Sequence, residues 1–314
     1  MAIHEVAHLL KENNISKFCD TKFPPTFDSI YGELRQLQRL KCQVEWLRPE
    51  QIFGEGTDFE VFDGEIEPND IKQGLLSNCW FMCAVSCLAE FEDYIKSLFI
   101  TKTVQPNGLY RLRICKSGIW NNVTVDDYFP CDASTGTPIF SRANGKELWV
   151  LLLEKAYAKL HGSYYALIGG DTAEALIDLS GCPTKSYDLQ VDMTVQEQIR
   201  DGKMFQRLLE FDQQGYMLSA STPEKQEDCH SSLVKQHAYA VLQVKQYGKH
   251  QLLNIRNPWG GKEWDGDWSD NSRMWTKGAI EYLKPSLQAN DGKFWMNFED
   301  FCQHFTRLNV CKLK

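Results

Sequence analysis

Three side chains that together could cleave an amide bond occur along this chain in the order Cys79, His237 and Asn257. A thiol becomes a nucleophile when a base takes its proton and later returns it to the leaving group, and the base needs a third group that fixes its tautomer. The amide oxygen of Asn257 could accept a hydrogen bond from one imidazole nitrogen of His237, which leaves the other nitrogen to face the sulfur. Trp259 could shield that hydrogen bond from water. These residue types therefore predict nucleophilic catalysis by a cysteine.

The stretch around Cys79 predicts how the thiol would be positioned. From Trp80 to Ala89 the side chains form an almost continuous apolar run, which predicts a buried helix that begins at Cys79. The unpaired N–H groups and the macrodipole of a helix N-terminus would lower the pKa of the thiol. Gln73, six residues upstream, could donate to an oxyanion formed near the sulfur. The alternative is a buried structural cysteine that follows a helix-capping Asn78.

A predicted β-hairpin would bring the base and its orienting amide together. His237 precedes a strand pattern at residues 238–244, and Asn257 follows a second strand pattern at residues 252–255, with Tyr247–Gly248–Lys249 as the turn. Both side chains would then lie at the open end of the hairpin. Taken singly, His237 could be a satisfied core histidine, Asn257 part of an ordinary Asn-Pro turn, and the nearby Trp259 plain packing.

The remaining patterns predict an α+β fold with a helical first half and an antiparallel sheet in the second. Further helices are predicted at residues 147–160, 171–179, 195–211 and 299–305, and the first of these is expected to pack against the Cys79 helix. Further strands are predicted at residues 109–114, 119–125, 216–220, 294–298 and 308–311. The expected organisation is an N-terminal helical segment at residues 1–22, a cysteine-bearing lobe at 23–181 and a lobe at 182–314 that carries the histidine and the asparagine.

Composition excludes several classes of protein. The chain has 314 residues and a net charge of -8, which argues against a nucleic-acid partner and provides no basic stripe for anionic membranes. Its eleven cysteines are scattered, which favours a reducing compartment over a disulfide framework. The N-terminus lacks the pattern of a signal peptide, and no apolar run is long enough to span a bilayer. We therefore expect a cytoplasmic protein.

Several segments, taken together, resemble the protease core of calpains, and their sequences are most similar to those of plant and protist calpains. The resemblance runs from about Phe23 to the C-terminus. The motifs that carry it are QGLLSNCW from Gln73, ELWVLLLEKAYAKLHGSY from Glu147, HAY from His237, RNPWG with Glu263-Trp264 from Arg256, and FWM from Phe294.

The resemblance implies a papain-like, two-lobe cysteine protease with its active site in the cleft between the lobes. It also implies a calcium-regulated intracellular endopeptidase that hydrolyses protein peptide bonds through a thioester acyl-enzyme. By motif position Cys79 would be the nucleophile, His237 the base and acid, Asn257 the orienting group, and Gln73 part of the oxyanion hole. The residues expected at the substrate are Gly170, Trp259 and Gln236.

The resemblance further implies one calcium ion in each lobe. The matching acids are Asp70 and Glu147 in the first lobe, and Glu263, Asp270 and Asp291 in the second. Calcium needs several hard oxygen ligands, and the next acid of the family pattern is here Lys293. We therefore expect a calcium site in the first lobe and a weak or absent site in the second.

Two alternatives remain beside the protease. Gln236 replaces the glycine that usually precedes the catalytic histidine, and together with Lys293 and Pro68 it favours a catalytically weak member that serves as a regulatory or binding scaffold. A transglutaminase would share the order of nucleophile and base, but its third member would ordinarily be an aspartate. The chain ends where the resemblance places the end of the core, so we expect a minimal enzyme or an excised core that lacks regulatory domains or subunits.

Overall fold

The computed structural model describes residues 17–34, 40–142, 145–225, 230–287 and 290–313. Contacts divide the chain into two compact units, the first formed by Met1–Asn78 with Glu92–Gly169 and the second by Cys79–Phe91 with Gly170–Lys314. Residues 1–16 of the N-terminal segment that was predicted to be helical at residues 1–22 lie outside the described residues, and residues 17–22 form no helix.

Helices and short strands alternate in the first half, and strands dominate the second. The α-helices are α1 Phe27–Tyr31, α2 Pro49–Phe53, α3 Cys79–Leu88, α4 Glu92–Leu98, α5 Trp149–His161, α6 Thr172–Ser180, α7 Met193–Arg200, α8 Lys203–Gln213, α9 Lys277–Leu283 and α10 Phe298–His304. The strands are β1 Val44–Leu47, β2 Lys72–Gln73, β3 Leu109–Lys116, β4 Ile119–Asp126, β5 Phe129–Asp132, β6 Ser141–Arg142, β7 Thr184–Asp188, β8 Met217–Ser221, β9 Ala238–Tyr247, β10 His250–Arg256, β11 Lys293–Asn297 and β12 Arg307–Cys311.

The first unit is built on the β3–β4 hairpin and helix α5. The two strands are antiparallel, and their inward side chains, such as Leu112 and Val123, are buried where α5 packs against them. Two further antiparallel pairs, β1 with β5 and β2 with β6, are the other strand pairs among the described residues of this unit. The first lobe was predicted to be mainly helical, and this unit contains more β-strand than that prediction implies. Alternating side chains, such as those of β3 and β4, allow an extended chain to bury one of its faces.

The second unit is organised on a six-stranded antiparallel sheet. Its strand order is β11-β10-β9-β8-β12-β7. Apolar side chains of the sheet, such as Tyr239 and Ile255, form the main core together with Phe205 of α8 and Phe298 of α10. Helices together with antiparallel sheets agree with the predicted α+β class.

Helix α3, which begins at the predicted nucleophile, belongs to the second unit. It packs against α6 and strands β8 and β9, and every residue of α3 after Cys79 is buried. The sequence analysis placed this segment in the first lobe together with the helix at residues 147–160, whereas the structure groups α3 with the second unit and α5 with the first. A helix that is apolar around its whole circumference shows no preferred face, so its sequence did not indicate which partners would cover it.

One local prediction was wrong, and the capping role that the alternative interpretation of Cys79 gave to Asn78 was not found. The single helix predicted at residues 195–211 is two helices, α7 and α8, separated at Gly202, whose φ of 76° is left-handed. Asn78 does not cap a helix with its side chain. Its Nδ2 donates to Glu154 Oε1 at 2.8 Å, and its buried Oδ1 has no hydrogen-bond partner among the described residues.

The other predicted elements were found with small changes at their ends. The strands predicted at residues 238–244 and 252–255 became β9 and β10, and each is longer than predicted. The helix predicted at residues 171–179 is α6, with Asp171 as its N-cap. Within the ranges that the structure describes, no helix has the length and apolar character needed to cross a bilayer.

Candidate active site

The predicted nucleophile lies at the first position of α3, within the second unit. Cys79 is partly exposed, and the backbone N–H groups of Cys79, Trp80 and Ala238 face its sulfur. Ala238 directly follows His237, so the sulfur lies beside the strand start that carries the predicted base. The structure therefore places the nucleophile and the start of β9 at one location.

His237 and Asn257 meet at the open end of the β9–β10 hairpin, as predicted. His237 Nε2 and Asn257 Oδ1 are 2.7 Å apart, and both side chains are buried. The backbone of His237 is held by Thr222, whose Oγ1 accepts from the His237 N–H at 3.1 Å and whose N–H donates to the His237 carbonyl at 3.0 Å. These contacts fix the position of the imidazole at the end of the sheet.

The surroundings of Asn257 determine which way its amide points. Its Nδ2 donates to the carbonyls of Gly261 and Lys262 at 2.8 and 3.1 Å, and the Trp259 N–H donates to its Oδ1 at 3.1 Å. Because these contacts fix the orientation of the amide, the atom that faces His237 is Oδ1, and an amide oxygen can act there only as an acceptor. His237 then carries its proton on Nε2, and Nδ1 keeps the lone pair that a general base requires.

Burial controls the charge state of the thiol and the imidazole. It raises the pKa of Cys79, although the three backbone N–H groups that face the sulfur act in the opposite direction. Burial also lowers the pKa of His237 to about 4, against the effect of the hydrogen bond that the imidazole donates to Asn257 Oδ1. The lowered thiol pKa expected at a helix N-terminus is therefore not found, because the desolvation of the sulfur is the larger effect.

We expect the alkylation of Cys79 by iodoacetamide, without calcium, to accelerate as the pH rises from 5 to 9. The thiolate reacts, and a raised thiol pKa beside a neutral imidazole leaves little thiolate at neutral pH. Mass spectrometry of the peptide that contains Cys79 measures the rate at each pH, with the half-buried Cys42 of the first unit as an internal reference. A rate that is already maximal below pH 6 would show a thiolate–imidazolium pair and contradict this prediction.

Two aromatic rings enclose the imidazole. The Trp259 ring centroid lies 4.8 Å from that of His237, and the Tyr239 ring packs edge-on at 5.0 Å. Trp259 is 44% exposed, so its indole covers the imidazole while one side remains open to solvent. The shielding role of Trp259 stays a prediction.

The two other residues expected at the substrate differ in their surroundings. Gln236 is exposed and has a φ of 47°, a left-handed conformation that favours glycine. Gly170 lies against the indole of Trp80, because a Cβ built there would come within 2.3 Å of Trp80 Cε2. The structure therefore gives Gly170 a packing role beside the nucleophile. Substrate binding by Gly170, Trp259 and Gln236 stays a prediction.

Gln73 belongs to the first unit and lies on β2. Its Nε2 donates to the Leu76 carbonyl at 2.6 Å, and its buried Oε1 has no hydrogen-bond partner within the described part of the chain. The adjacent Gly74 permits a close approach of backbone, since a Cβ there would lie 2.2 Å from the Phe140 carbonyl oxygen. The amide of Gln73 is thus held by its local backbone, and its role at an oxyanion stays a prediction.

The two carboxyl groups predicted to bind calcium in the first unit lie close enough to repel each other electrostatically. Glu147 is 2% exposed, and burial followed by the negative charge of Asp70 raises its pKa to about 8. Among the described residues, Oε1 has no partner within hydrogen-bonding geometry, although the indole N–H of Trp149 and the backbone N–H of Asp63 are close enough to the carboxyl to oppose the rise of its pKa. A buried carboxylate oxygen without a well-placed donor, beside a second carboxylate, suits the binding of a divalent cation.

The acids predicted for the second site are also close together. Burial raises the pKa of Glu263 and Asp270, the latter to about 6, and the charge of Asp291 adds to both shifts. Glu263 Oε1 accepts from the Gly292 N–H at 2.8 Å, and Asp291 Oδ1 accepts from the Lys293 N–H at 2.9 Å. This site therefore also has acidic oxygens that a cation could bind, with some of their capacity taken by backbone N–H groups.

Sequence reasoning missed one buried contact beside the site. Arg256 is fully buried, and its Nη1 donates to Ser86 Oγ of α3 at 3.0 Å. Arg256 ends β10 and immediately precedes Asn257, so this hydrogen bond connects the helix that begins at Cys79 with the end of the strand next to Asn257. The sequence analysis quoted Arg256 only as part of a motif, and a charged residue next to a Pro-containing turn gave no sign of complete burial.

Comparison with known proteins agrees with this arrangement. The family described as Calpain family cysteine protease matches residues 18–312. The chain is 39% identical to the calpain-type cysteine protease DEK1 of Arabidopsis thaliana, over 98% of this chain and 15% of that protein. It is 39% identical to the calpain-type cysteine protease ADL1 of Oryza sativa subsp. japonica, over 94% of this chain and 14% of that protein, and 34% identical to calpain-5 of Mus musculus, over 94% and 49%.

The chain thus spans about one seventh of the length of these plant relatives and about half that of the mouse protein. The match confirms the predicted resemblance and, with it, the predicted fold class of a papain-like protease core. The residues matched include the thiol, the imidazole and the carboxamide whose geometry is described above. The chain therefore belongs to the calpain family of cysteine proteases.

Proposed function

We propose that this chain hydrolyses peptide bonds in protein substrates through a thioester acyl-enzyme. The observation that carries the proposal is the buried 2.7 Å contact between His237 Nε2 and Asn257 Oδ1 beside a sulfur that faces the Ala238 N–H. His237 Nδ1 takes the thiol proton as the sulfur attacks the carbonyl carbon, and returns that proton to the departing amine. A water then attacks the thioester with the same imidazole as base, which regenerates the thiol.

The neutral ground state described above is compatible with this sequence of steps. A thiol and an imidazole that are both uncharged can transfer a proton when the substrate displaces water, and the developing imidazolium is stabilised by the Asn257 oxygen. The Cys79 N–H and the Gln73 amide are the proposed donors to the oxyanion. The ten cysteines among the described residues are free thiols, which supports a reducing, cytoplasmic setting.

Hydrolysis of a fluorogenic peptide and of casein, with calcium or with a chelator, tests the proposal. We expect turnover in calcium that is lost after chelation and after alkylation of the enzyme with iodoacetamide. A folded chain that releases no product from either substrate under any calcium condition would instead support the scaffold alternative. That alternative is favoured by Gln236, which directly precedes His237 and has a left-handed backbone conformation.

We further propose that calcium regulates the chain by binding to Asp70 and Glu147 of the first unit, and more weakly to Glu263, Asp270 and Asp291 of the second. When bound, the ion would supply positive charge to carboxylates that now repel one another. The support is the unpartnered Glu147 Oε1 and the raised pKa of the same carboxyl. The second group lacks the acid that Lys293 replaces, so it offers fewer ligands.

We expect Glu147→Gln to weaken calcium binding at the first site at least about tenfold, because a neutral amide replaces a carboxylate ligand. The calcium-free variant should be as stable as the wild type or more stable, since the repulsion from Asp70 is removed. Isothermal titration calorimetry measures the affinity and the number of sites, and denaturation in a chelator measures the stability.

Glu60→Gln is the matched control, because Glu60 is an exposed acid whose backbone pairs with that of Glu147. An unchanged calcium affinity in Glu147→Gln would contradict the assignment of the first site. Two equally tight ions in the wild type would contradict the weaker second site.

A further inference from the structure

A buried carboxyl group on α5 connects two backbone segments of the first unit. Glu154 Oε1 accepts from Asn78 Nδ2 at 2.8 Å, and Oε2 accepts from the N–H and the Oγ of Ser141 at 3.0 and 2.7 Å. All three residues are buried. The mechanism proposed above assigns no role to any of these side chains.

The burial of this carboxyl group makes its hydrogen bonds important. Burial raises the pKa of Glu154 to about 7, and the effects that oppose this rise come from its hydrogen bonds with Ser141 and Asn78. A carboxylate taken out of water is costly unless such donors compensate it. The Oδ1 of Asn78 has no partner within the described ranges, so among the described residues the contact with Glu154 is what fixes this amide.

Ser141 joins the carboxyl group of Glu154 to the segment that carries Gln73. Ser141 lies on β6 directly opposite Gln73 of β2. The pairing continues beyond these strands, because the N–H of Leu75 donates to the Ile139 carbonyl at 2.8 Å. A displacement of β6 away from Glu154 would therefore also displace the backbone of Gln73, whose amide is one of the proposed oxyanion donors.

Asn78 joins the same carboxyl group to the N–H of the nucleophile. The nitrogen of Cys79 belongs to the peptide unit that begins at the Cα of Asn78, and the atoms of a peptide unit are coplanar. Rotation of this plane would turn the Cys79 N–H away from the position where an oxyanion forms. The hydrogen bond from Asn78 to Glu154 opposes the rotation, because it fixes the residue on one side of the plane.

We propose that Glu154 is a positioning residue for the oxyanion donors of peptide hydrolysis. It holds residues 73–78 at both ends, through Ser141 at one end and Asn78 at the other, and thereby directs the donors of Gln73 and Cys79. The inference rests on the proposed function, in which these two groups stabilise the oxyanion. Catalysis is sensitive to such positions, since a misplacement of about 1 Å can lower a rate about 100-fold.

Binding of a peptide aldehyde separates the donors from the thiol. The Cys79 thiol adds across the aldehyde: a C–S bond forms, the C=O double bond becomes a single bond, and the thiol proton moves to the oxygen, which lies where the oxyanion would form. Iodoacetamide reacts with the same sulfur and develops no oxyanion. A variant with misplaced donors should therefore bind the aldehyde weakly and still be alkylated at the wild-type rate.

We expect Glu154→Leu to lower kcat and the affinity for the aldehyde at least about tenfold each, with KM within about threefold of the wild type, because the interactions lost are those of the transition state. Asn78→Ala should lower both in the same direction, and it tests the proposal even if Glu154→Leu does not fold. Calorimetry at saturating calcium measures the aldehyde affinity, and steady-state hydrolysis of the fluorogenic peptide measures kcat and KM.

Glu154→Gln is the conservative variant that should recover most of the aldehyde affinity. The Oε1 of the new amide can accept from Ser141, and its Nε2 can donate to the Asn78 Oδ1 once that amide turns over. A Glu154→Gln enzyme that is as weak as Glu154→Leu would contradict the proposal, because the hydrogen bonds that hold residues 73–78 would then not account for the loss.

Leu152→Ala is the matched control for lost stability. Leu152 is buried on the same helix, and two residues of α5 turn its side chain about 200° away from that of Glu154. We expect this variant to lose stability and to bind the aldehyde as the wild type does. Equal losses of aldehyde affinity in Leu152→Ala and Glu154→Leu would overturn the proposal. A fall in the alkylation rate of Glu154→Leu equal to its fall in kcat would also overturn it, since the effect would then lie in the thiol.

The positioning role and the proposed function fail in different ways. A wild type that cleaves the peptide and binds the aldehyde, with an unchanged aldehyde affinity in folded Glu154→Leu, overturns the positioning role alone. A wild type that does neither overturns the proposed function and the positioning role with it.

Discussion

Replacing His237 with alanine should lower kcat for peptide hydrolysis by about 10⁴-fold or more, with the fold retained. In the proposed mechanism the imidazole takes the thiol proton and delivers it to the amine, and removing one member of such a set eliminates most of the catalysis that the set provides. Asn257 cannot substitute, because its Oδ1 is an acceptor and its Nδ2 is committed to two carbonyls.

Steady-state hydrolysis of the fluorogenic peptide at saturating calcium measures this effect, and circular dichroism verifies the fold. His250→Ala is the control, since His250 lies on β10 of the same unit and its ring packs against Trp268, away from the triad. We expect the control to keep a kcat within about twofold of the wild type, because the His250 ring packs on Trp268 and takes no part in the proposed proton transfers. A His237→Ala enzyme with a tenth of the wild-type kcat would rule out the imidazole as the base.

Replacing Arg256 with alanine should cost about 3–5 kcal/mol of the free energy of unfolding. The side chain is fully buried, so the substitution removes its hydrogen bond to Ser86 and leaves a large space between α3 and the sheet. Ser86→Ala, which removes only the hydroxyl, should cost about 1–2 kcal/mol. Urea denaturation followed by tryptophan fluorescence measures both values.

Arg273→Ala serves as the matched arginine substitution, because Arg273 is exposed on the same unit, and its stability should stay within about 0.5 kcal/mol of the wild type. A double variant, Ser86→Ala with Arg256→Ala, should be less destabilised than the two losses combined, because the residues share one hydrogen bond. Strict additivity, or an Arg256→Ala protein as stable as the wild type, would show that this contact does not hold α3 against β10.

Local patterns in the sequence predicted the parts of the site that depend on strand ends and turns. His237 and Asn257 flank a hairpin whose turn at Gly248 is visible in the sequence, so their meeting followed from the period of the strands. The beginning of α3 at Cys79 followed from the change in polarity at that residue. The hydrogen bond between the imidazole of His237 and the carboxamide of Asn257 could therefore be predicted from the sequence.

Long-range partners were not predictable in the same way. Asn78 looks like a helix cap from its neighbours, but a buried Glu154 distant in the sequence takes its amide instead. Burial also reverses the expected direction of the Cys79 pKa, and no local pattern reports how much solvent a sulfur loses. The break at Gly202 is different, since an Asp-Gly pair inside a helical pattern is a readable signal that was passed over.

The loop after β10 determines the chemical identity of the residue that orients the imidazole. Two carbonyl oxygens, from Gly261 and Lys262, point at the Nδ2 of Asn257. If an aspartate of the same shape replaced Asn257, a carboxylate oxygen would take the place of Nδ2 and face both carbonyl oxygens. Three buried acceptors with no donor hydrogen between them would repel one another. The same imidazole could tolerate an aspartate, as in enzymes that transfer acyl groups to amines, but the loop of this chain accepts only an amide.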